Sequence, residues 1–193
     1  MIRQKFNIIS MFVLLLIFAG VSAVSCKNET SNTETTLSLS QYKKQHKQEM
    51  MDWNKAIVEI DHDVIAKFIE RRKWSMENTE TGLYWQVYEK KTAPKVKSGD
   101  IVEFSYKTYL LNGTVLYTSE EDGNRQLKID RNQEERGLNE GLKMMRLGEK
   151  ARFILPPHLA FGVTGDGYKI PVYSILVYEI EVVSIVESES EEL

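Results

Sequence analysis

Apolar and polar positions alternate with different periods along this chain, and each period predicts a different element. Met11 to Ala19 is an unbroken apolar run, too short for the ~20 residues of a spanning helix. Residues 27–40 carry Leu37 and Leu39 among Ser, Thr, Asn and Glu, too little apolar area to order themselves, and predict a flexible tether. Over 41–74 the period becomes helical: Trp53, Ile57, Ile60, Val64 and Phe68 recur at a 3–4 spacing, and Ile65 and Ile69 widen the stripe. That stripe predicts either core or a surface for a partner helix. Asp61-His62-Asp63 interrupts the pattern. It predicts a cap dividing two helices, because Asp suits an N-cap. Three successive helical residues cannot converge on one metal ion.

From Gly82 onward the period is two. Leu83–Tyr88 and Val102–Leu110 alternate and predict strands. Asn112-Gly113 is a hairpin signal that returns the chain through Thr114–Thr118. Glu120–Asn124 predicts a loop, Leu127–Ile129 a short strand, 135–145 one short helix, and Ala151–Leu155 and Ser174–Val186 two further strands. Within 136–148 three glycines stand at separate duties: Gly137 opens the helix, Gly141 lies on one face and Gly148 closes it. The sum is an α+β arrangement, an antiparallel sheet around one short helix preceded by an N-terminal helical segment.

Length and charge narrow the classes. At 193 residues the chain allows one domain with appendages. Without Arg3 and Lys5, the only charges before Cys26, it holds 23 basic and 28 acidic residues, a net −5, which argues against nucleic acid as a partner. Arg3 and Lys5, the apolar run and the small residues up to Ser25 have the order of an export signal. Cys26 is the single cysteine, so no disulfide forms within the chain. Ala23-Val-Ser-Cys26 resembles the bacterial lipobox, which implies lipid attachment at Cys26; the alternative is an ordinary signal peptide cut near Ala23. The expected organisation is a signal peptide over 1–25, a tether over 26–40, a helical segment over 41–81, a main domain over 82–187 and an acidic tail over 188–193.

The main domain is similar to the FKBP-type peptidyl-prolyl cis-trans isomerases. Three features carry the resemblance: Arg136-Gly-Leu-Asn-Glu-Gly-Leu142 with Leu147-Gly148, the run Leu155-Pro-Pro-His-Leu-Ala-Phe-Gly162 leading to Ile170-Pro171, and the long final β-run. The family pattern implies an antiparallel sheet wrapped around one helix, with an apolar cleft that takes a proline ring and needs neither nucleophile, metal nor cofactor. It implies cleft positions at Tyr106, Phe161, Ile170 and Tyr178, with Leu116 where Phe is usual and Leu127 on the adjacent strand. Phe161 replaces the usual Tyr and loses a substrate hydrogen bond worth about 1 kcal/mol. Three further positions depart from the pattern. Leu138 stands where Trp usually forms the floor, Tyr117 where Asp is usual, and Glu134-Glu135 in place of an apolar pair. Those two carboxylates imply a preference for basic residues near the proline, while the backbone N–H of Glu135 still suits a substrate carbonyl.

Three readings follow. The first is an isomerase acting on proline-containing polypeptide clients. It is anchored by lipid in the bacterial envelope, with the outer membrane expected and its periplasmic or surface face open, and resembles the lipid-anchored Bacteroidetes members of the GldI type associated with gliding motility. The second is a binding or assembly module in which the cleft has lost activity. The third is a chaperone homodimer joined through residues 41–74.

Overall fold

The computed structural model describes residues 39–131 and 136–187. The expectations for the apolar leader, Cys26, most of the tether, Glu134, Glu135 and the acidic tail lie outside the described residues. The chain divides into two compact units, Met1–His46 and Lys47–Leu193, and the sheet and the cleft described below belong to the second.

Helix α1 spans Leu39–Arg72 without a break. The cap expected at Asp61-His62-Asp63 is absent. Asp costs under about 0.7 kcal/mol in a helix, and burial of Ile65 and Phe68 one turn later returns roughly 1.5–3 kcal/mol each. Arg71 and Arg72 occupy the last turn, where cations suit the helix dipole. Lys73 then turns left-handed at φ 55° and ends the helix.

Among the described residues seven strands follow: β1 Glu77–Asn78, β2 Tyr84–Glu89, β3 Ile101–Leu110, β4 Val115–Thr118, β5 Arg125–Lys128, β6 Lys150–Leu155 and β7 Leu176–Val186. They form one antiparallel sheet in the order β1-β2-β6-β7-β3-β4, with β5 also paired to β3. The β3–β4 turn uses Gly113 at φ +91°, a conformation that favours glycine, and the Asn112 side chain accepts the Thr114 N–H at 2.9 Å. Where a loop is expected after β4, one helical turn, α2 (Ser119–Asp122), forms because the Thr118 hydroxyl accepts the Glu121 N–H at 3.3 Å. β7 starts at Leu176 instead of Ser174: the Ser174 hydroxyl donates to the Pro171 carbonyl at 2.7 Å and belongs to the preceding loop.

The period of two sorts the core onto two faces. On the inner face Val102, Phe104 and Tyr106 of β3, Ala151, Phe153 and Leu155 of β6, and Leu176, Tyr178, Ile180 and Val182 of β7 pack with Leu138 and Leu142 of helix α3, Arg136–Met144. Gly141 makes this contact close. A Cβ there would lie 2.9 Å from the Phe153 ring. On the outer face Tyr84, Tyr109, Ile154 and Val177 receive Ile65 and Phe68 of α1. Only the C-terminal end of the α1 stripe is thus core, and Trp53, Ile60 and Val64 are exposed.

Candidate functional site, an aromatic cleft on the inner face

Register brings the cleft together. In β3 the inward positions Tyr106 and Thr108 are neighbours, and Thr108 faces Tyr178 of β7 on one side and Tyr117 of β4 on the other. β5 adds Arg125, opposite Phe104. The loop between β6 and β7 starts with a 3-10 turn, Pro157–Leu159, and delivers Phe161, Asp166 and Ile170. These eight residues, Tyr106, Thr108, Tyr117, Arg125, Phe161, Asp166, Ile170 and Tyr178, line a cavity of about 230 Å³. That is below the roughly 300–1,000 Å³ of drug-sized pockets, and suits a ring-sized group.

Five of the residues expected at the cleft therefore lie on one cavity: Tyr106, Tyr117, Phe161, Ile170 and Tyr178. Leu116, Leu127 and Leu138 are buried in the inner core and do not line it. Thr108, Arg125 and Asp166 line it without a signal in the sequence pattern. Thr108 has the same inward parity as Tyr106, which is the one clue the alternation offered. Its hydroxyl is buried and has no hydrogen-bond partner among the described residues. The Arg125 guanidinium lies 5.7 Å from the Tyr106 ring centroid and 5.8 Å from that of Phe104, within cation–π range.

Asp166 organises the loop. One carboxylate oxygen accepts the N–H of Tyr168 at 2.8 Å and of Ile170 at 2.7 Å. The other accepts the Tyr117 hydroxyl in a short hydrogen bond. Burial raises the Asp166 carboxyl, but the Tyr117 hydroxyl and the backbone N–H groups outweigh it, and the net shift is downward. The Tyr117 phenol is pushed up to about 12, by burial first and then by its bond to Asp166. Gly165, next to Asp166, stands at φ +66°, and a Cβ there would lie 2.2 Å from the Ile170 carbonyl oxygen. The Lys169 ammonium lies 4.8 Å from the Tyr117 ring centroid.

His158 precedes this loop and its Nε2 is 2.9 Å from the Thr81 carbonyl oxygen, which ties the turn to the start of β2. A larger hollow of about 350 Å³ opens on the outer face, among Ser105, Lys107, Lys150, Glu179 and Glu181. Tyr88, Tyr106, Val115 and Ile180 line it as well, so its wall mixes charged and apolar groups. Among the described residues no group of three or more His, Cys, Asp or Glu is placed to hold a metal ion. No described helix is long and apolar enough to cross a membrane.

The family model for FKBP-type peptidyl-prolyl cis-trans isomerases matches residues 92–183. FK506-binding protein 2 of Dictyostelium discoideum is 38% identical over 92 residues, 47% of this chain and 69% of that protein. The FKBP-type peptidyl-prolyl cis-trans isomerase FkpA of Aeromonas hydrophila is 36% identical over 114 residues, 59% of this chain and 42% of that protein. The chain thus spans less than half the length of this bacterial relative. Among solved structures, FkpA from Escherichia coli is similar with a TM-score of 0.57 at 27% identity, over 80% of this chain and 76% of that one. AtFKBP13 is similar with a TM-score of 0.54 at 25% identity, over 58% and 99%. With the motif glycines, the antiparallel sheet around α3 and the aromatic cleft, these matches place the chain in the FKBP-type peptidyl-prolyl cis-trans isomerase family.

Proposed function

We propose that this protein is a peptidyl-prolyl cis-trans isomerase acting on extended polypeptide segments. The observation that carries this reading is the convergence of Tyr106, Phe161, Ile170 and Tyr178 on one small cavity. Rotation about an Xaa-Pro bond has a barrier of about 18–20 kcal/mol, because the planar amide is stabilised by resonance. The twisted amide loses that resonance and is less polar than either planar form. An apolar, water-poor wall therefore binds the twisted form better than the ground state, which is what lowers a barrier. Tyr106, Phe161, Ile170 and Tyr178 supply that wall, and Phe161 does so without offering a hydroxyl. A preference for basic flanking residues rests on the family pattern alone, in which the Glu134-Glu135 pair replaces apolar residues.

The test is acceleration of isomerisation in a tetrapeptide series with basic, apolar and acidic residues before Pro, using protein spanning residues 27–193. Acceleration strongest with apolar or basic residues is expected. A folded sample that leaves the thermal rate unchanged rejects catalysis. It would favour a binding module, a reading supported by the polar cleft residues Thr108, Arg125 and Asp166.

The finer reading places the isomerase in the bacterial envelope, anchored by lipid at Cys26 and serving exported clients, with gliding-motility components among them. It rests on the lipobox-like Ala23-Val-Ser-Cys26. Cys26→Ser should then release the protein from the membrane fraction; retention of the variant there sinks the anchor. Gene deletion that leaves spreading unchanged sinks the motility role. The protein also forms a homodimer through α1, a reading supported by the apolar stripe that the sheet leaves exposed.

A further inference from the structure

On the outer face of the sheet two cations meet without an acidic partner. A hollow of about 280 Å³ opens there, lined by Arg72, Lys107, Tyr109, Gly113, Val115 and Glu179. Register sets Lys107 of β3 opposite Glu179 of β7, an arrangement that favours a cross-strand ion pair. That carboxylate is already taken. Its Oε1 accepts the Tyr109 hydroxyl at 3.1 Å and the Arg152 Nε–H at 3.2 Å. Burial first, then the charge of Glu179, raise the Tyr109 phenol well above its ordinary 10.0, so the phenol stays protonated and bound to the carboxylate. Lys107 is left with no ion partner among the described residues, and its ammonium lies 5.9 Å from the Tyr109 ring centroid.

Arg72 reaches the same hollow from the last turn of α1. Its guanidinium lies 4.8 Å from the Phe68 ring centroid and 5.5 Å from that of Trp74. Contact with two rings restrains a long side chain and uses the face of the guanidinium, whereas its five N–H donors lie in the plane. None of these donors has a hydrogen-bond or ion partner among the described residues. The hollow thus carries two cations with unused donors and one carboxylate whose charge Arg152 offsets. In a chain of net charge −3, acids to pair with them are not scarce, and a restrained cation binds at low entropic cost.

We propose that this hollow is an oxyanion site that holds a carboxylate of an acidic polypeptide segment, with Arg72 and Lys107 as its donors. Charge selects the oxyanion, and size and continuity select the polypeptide. The hollow has many times the ~30 Å³ that one water claims, so a lone ion leaves most of it empty. It also adjoins the 350 Å³ hollow on the same face, with which it shares Lys107, Val115 and Glu179. The two make one groove whose further part offers the Ser105, Thr118 and Ser119 hydroxyls and the Tyr88 ring. Val115 lies on β4, an edge strand that pairs with β3 alone. A polypeptide can set an acidic side chain between Arg72 and Lys107 and continue past Val115, whereas a free ion has no use for that extension. Neither cation lines the cleft, so the site stands apart from the isomerase reading. It gives the protein a hold on acidic segments that needs no proline.

The test uses two proline-free ten-residue peptides, one with Glu and Asp among Ser, the other with Gln and Asn in their place. Without proline, the cleft has no ring to bind. Fluorescence anisotropy gives Kd with residues 27–193 for the wild type, for Lys107→Gln, and for Arg72→Gln with Lys107→Gln. The acidic peptide should bind the wild type about tenfold tighter than its neutral twin, the size expected of two partly screened charge-assisted contacts. The double variant should lose that preference, and added NaCl should shrink it in the wild type. Lys107→Gln alone leaves the Arg72 ring contacts intact and should lose part of it, so the site is tested without risk to α1. Equal binding of the two peptides, or a preference that survives Lys107→Gln unchanged, overturns the site. Inorganic phosphate that binds as tightly as the acidic peptide marks a simple ion site and overturns the polypeptide occupant. Vesicles of phosphatidylglycerol that bind the wild type but not the double variant, with neither peptide bound, assign the hollow to a membrane and overturn it too. Tetrapeptide isomerisation, followed in parallel, should stay within about twofold in both variants, because the cleft lies elsewhere. A wild type without isomerase activity that still prefers the acidic peptide rejects catalysis and keeps this site.

Discussion

Tyr117 and Asp166 are 49 residues apart in sequence and share one hydrogen bond at the end of the cleft. Because Asp166 also holds the Ile170 N–H, the pair fixes a cleft wall as well as the loop. Tyr117→Phe should cost about 1 kcal/mol, below the roughly 1.5–3 kcal/mol of a hydrogen bond to a charged group, since the pair is only partly buried and solvent screens it. Tyr117→Asp should cost more, because it sets two carboxylates together, and Asp166→Asn in the same chain should recover part of the loss. Urea midpoints read the stability, and KM reads the displaced wall. The Phe variant also gives a pH signature. Asp166 is held below its ordinary 3.8, so its contribution is present above that value and is lost as pH falls through the depressed one. Tyr117 is raised from 10.0 to about 12, so its contribution is present below pH 10 and is lost as pH rises towards 12. The gap between wild type and Tyr117→Phe should therefore be a plateau between pH 3.8 and 10 that closes at both ends. A gap that varies across this range would assign the cost to another group. The same pair marks where sequence reading stops. Tyr117 alone is a departure from the family pattern, and Asp166 alone is a loop residue. Their meaning lies in a pairing that no local spacing encodes.

At the scale of elements the period of two carries most of the information. It places Tyr106, Thr108 and Tyr178 on one face, and Asn112-Gly113 sets the hairpin register that faces Tyr117 to Thr108. Strand ends and the continuity of α1 were less legible, since both depend on contacts. Ser174 is held by Pro171 outside β7, and α1 runs through Asp61-His62-Asp63 because Ile65 and Phe68 are anchored on the sheet. The glycines of α3 are the reverse case, visible in sequence and explained by packing. Gly141→Ala gains roughly 1 kcal/mol of helix propensity. Its methyl, however, meets the buried Phe153 ring at 2.9 Å, and overpacking of that kind costs about 1–3 kcal/mol. A net loss of up to about 2 kcal/mol is expected in equilibrium unfolding. An unchanged or raised stability would mean that the ring moves aside freely.

The whole molecule poses a question that the sheet domain does not answer, because α1 is much longer than the face it covers. Ile65 and Phe68 satisfy the sheet. Upstream, Met50, Trp53, Ile57, Ile60 and Val64 continue the apolar pattern at steps of three, four, three and four residues, the spacing of a two-helix seam. Trp53 is 67% exposed and Ile60 62%, whereas a helix serving only as a spacer has no use for a Trp facing water. The proposed homodimer supplies a second α1, whose own stripe would match this one, and a twofold arrangement would let both seams close on each other. Two cleft-bearing domains joined in this way would hold one client at two prolines, raising avidity without new contacts in either cleft. Sedimentation equilibrium at micromolar concentration should therefore find a dimer for residues 27–193. Trp53→Asp with Ile60→Asp should give a monomer that keeps its tetrapeptide activity and loses preference for clients with several prolines. A monomeric wild type rejects the seam. A dimer that survives both substitutions moves the interface elsewhere, and leaves the exposed face of α1 without an occupant.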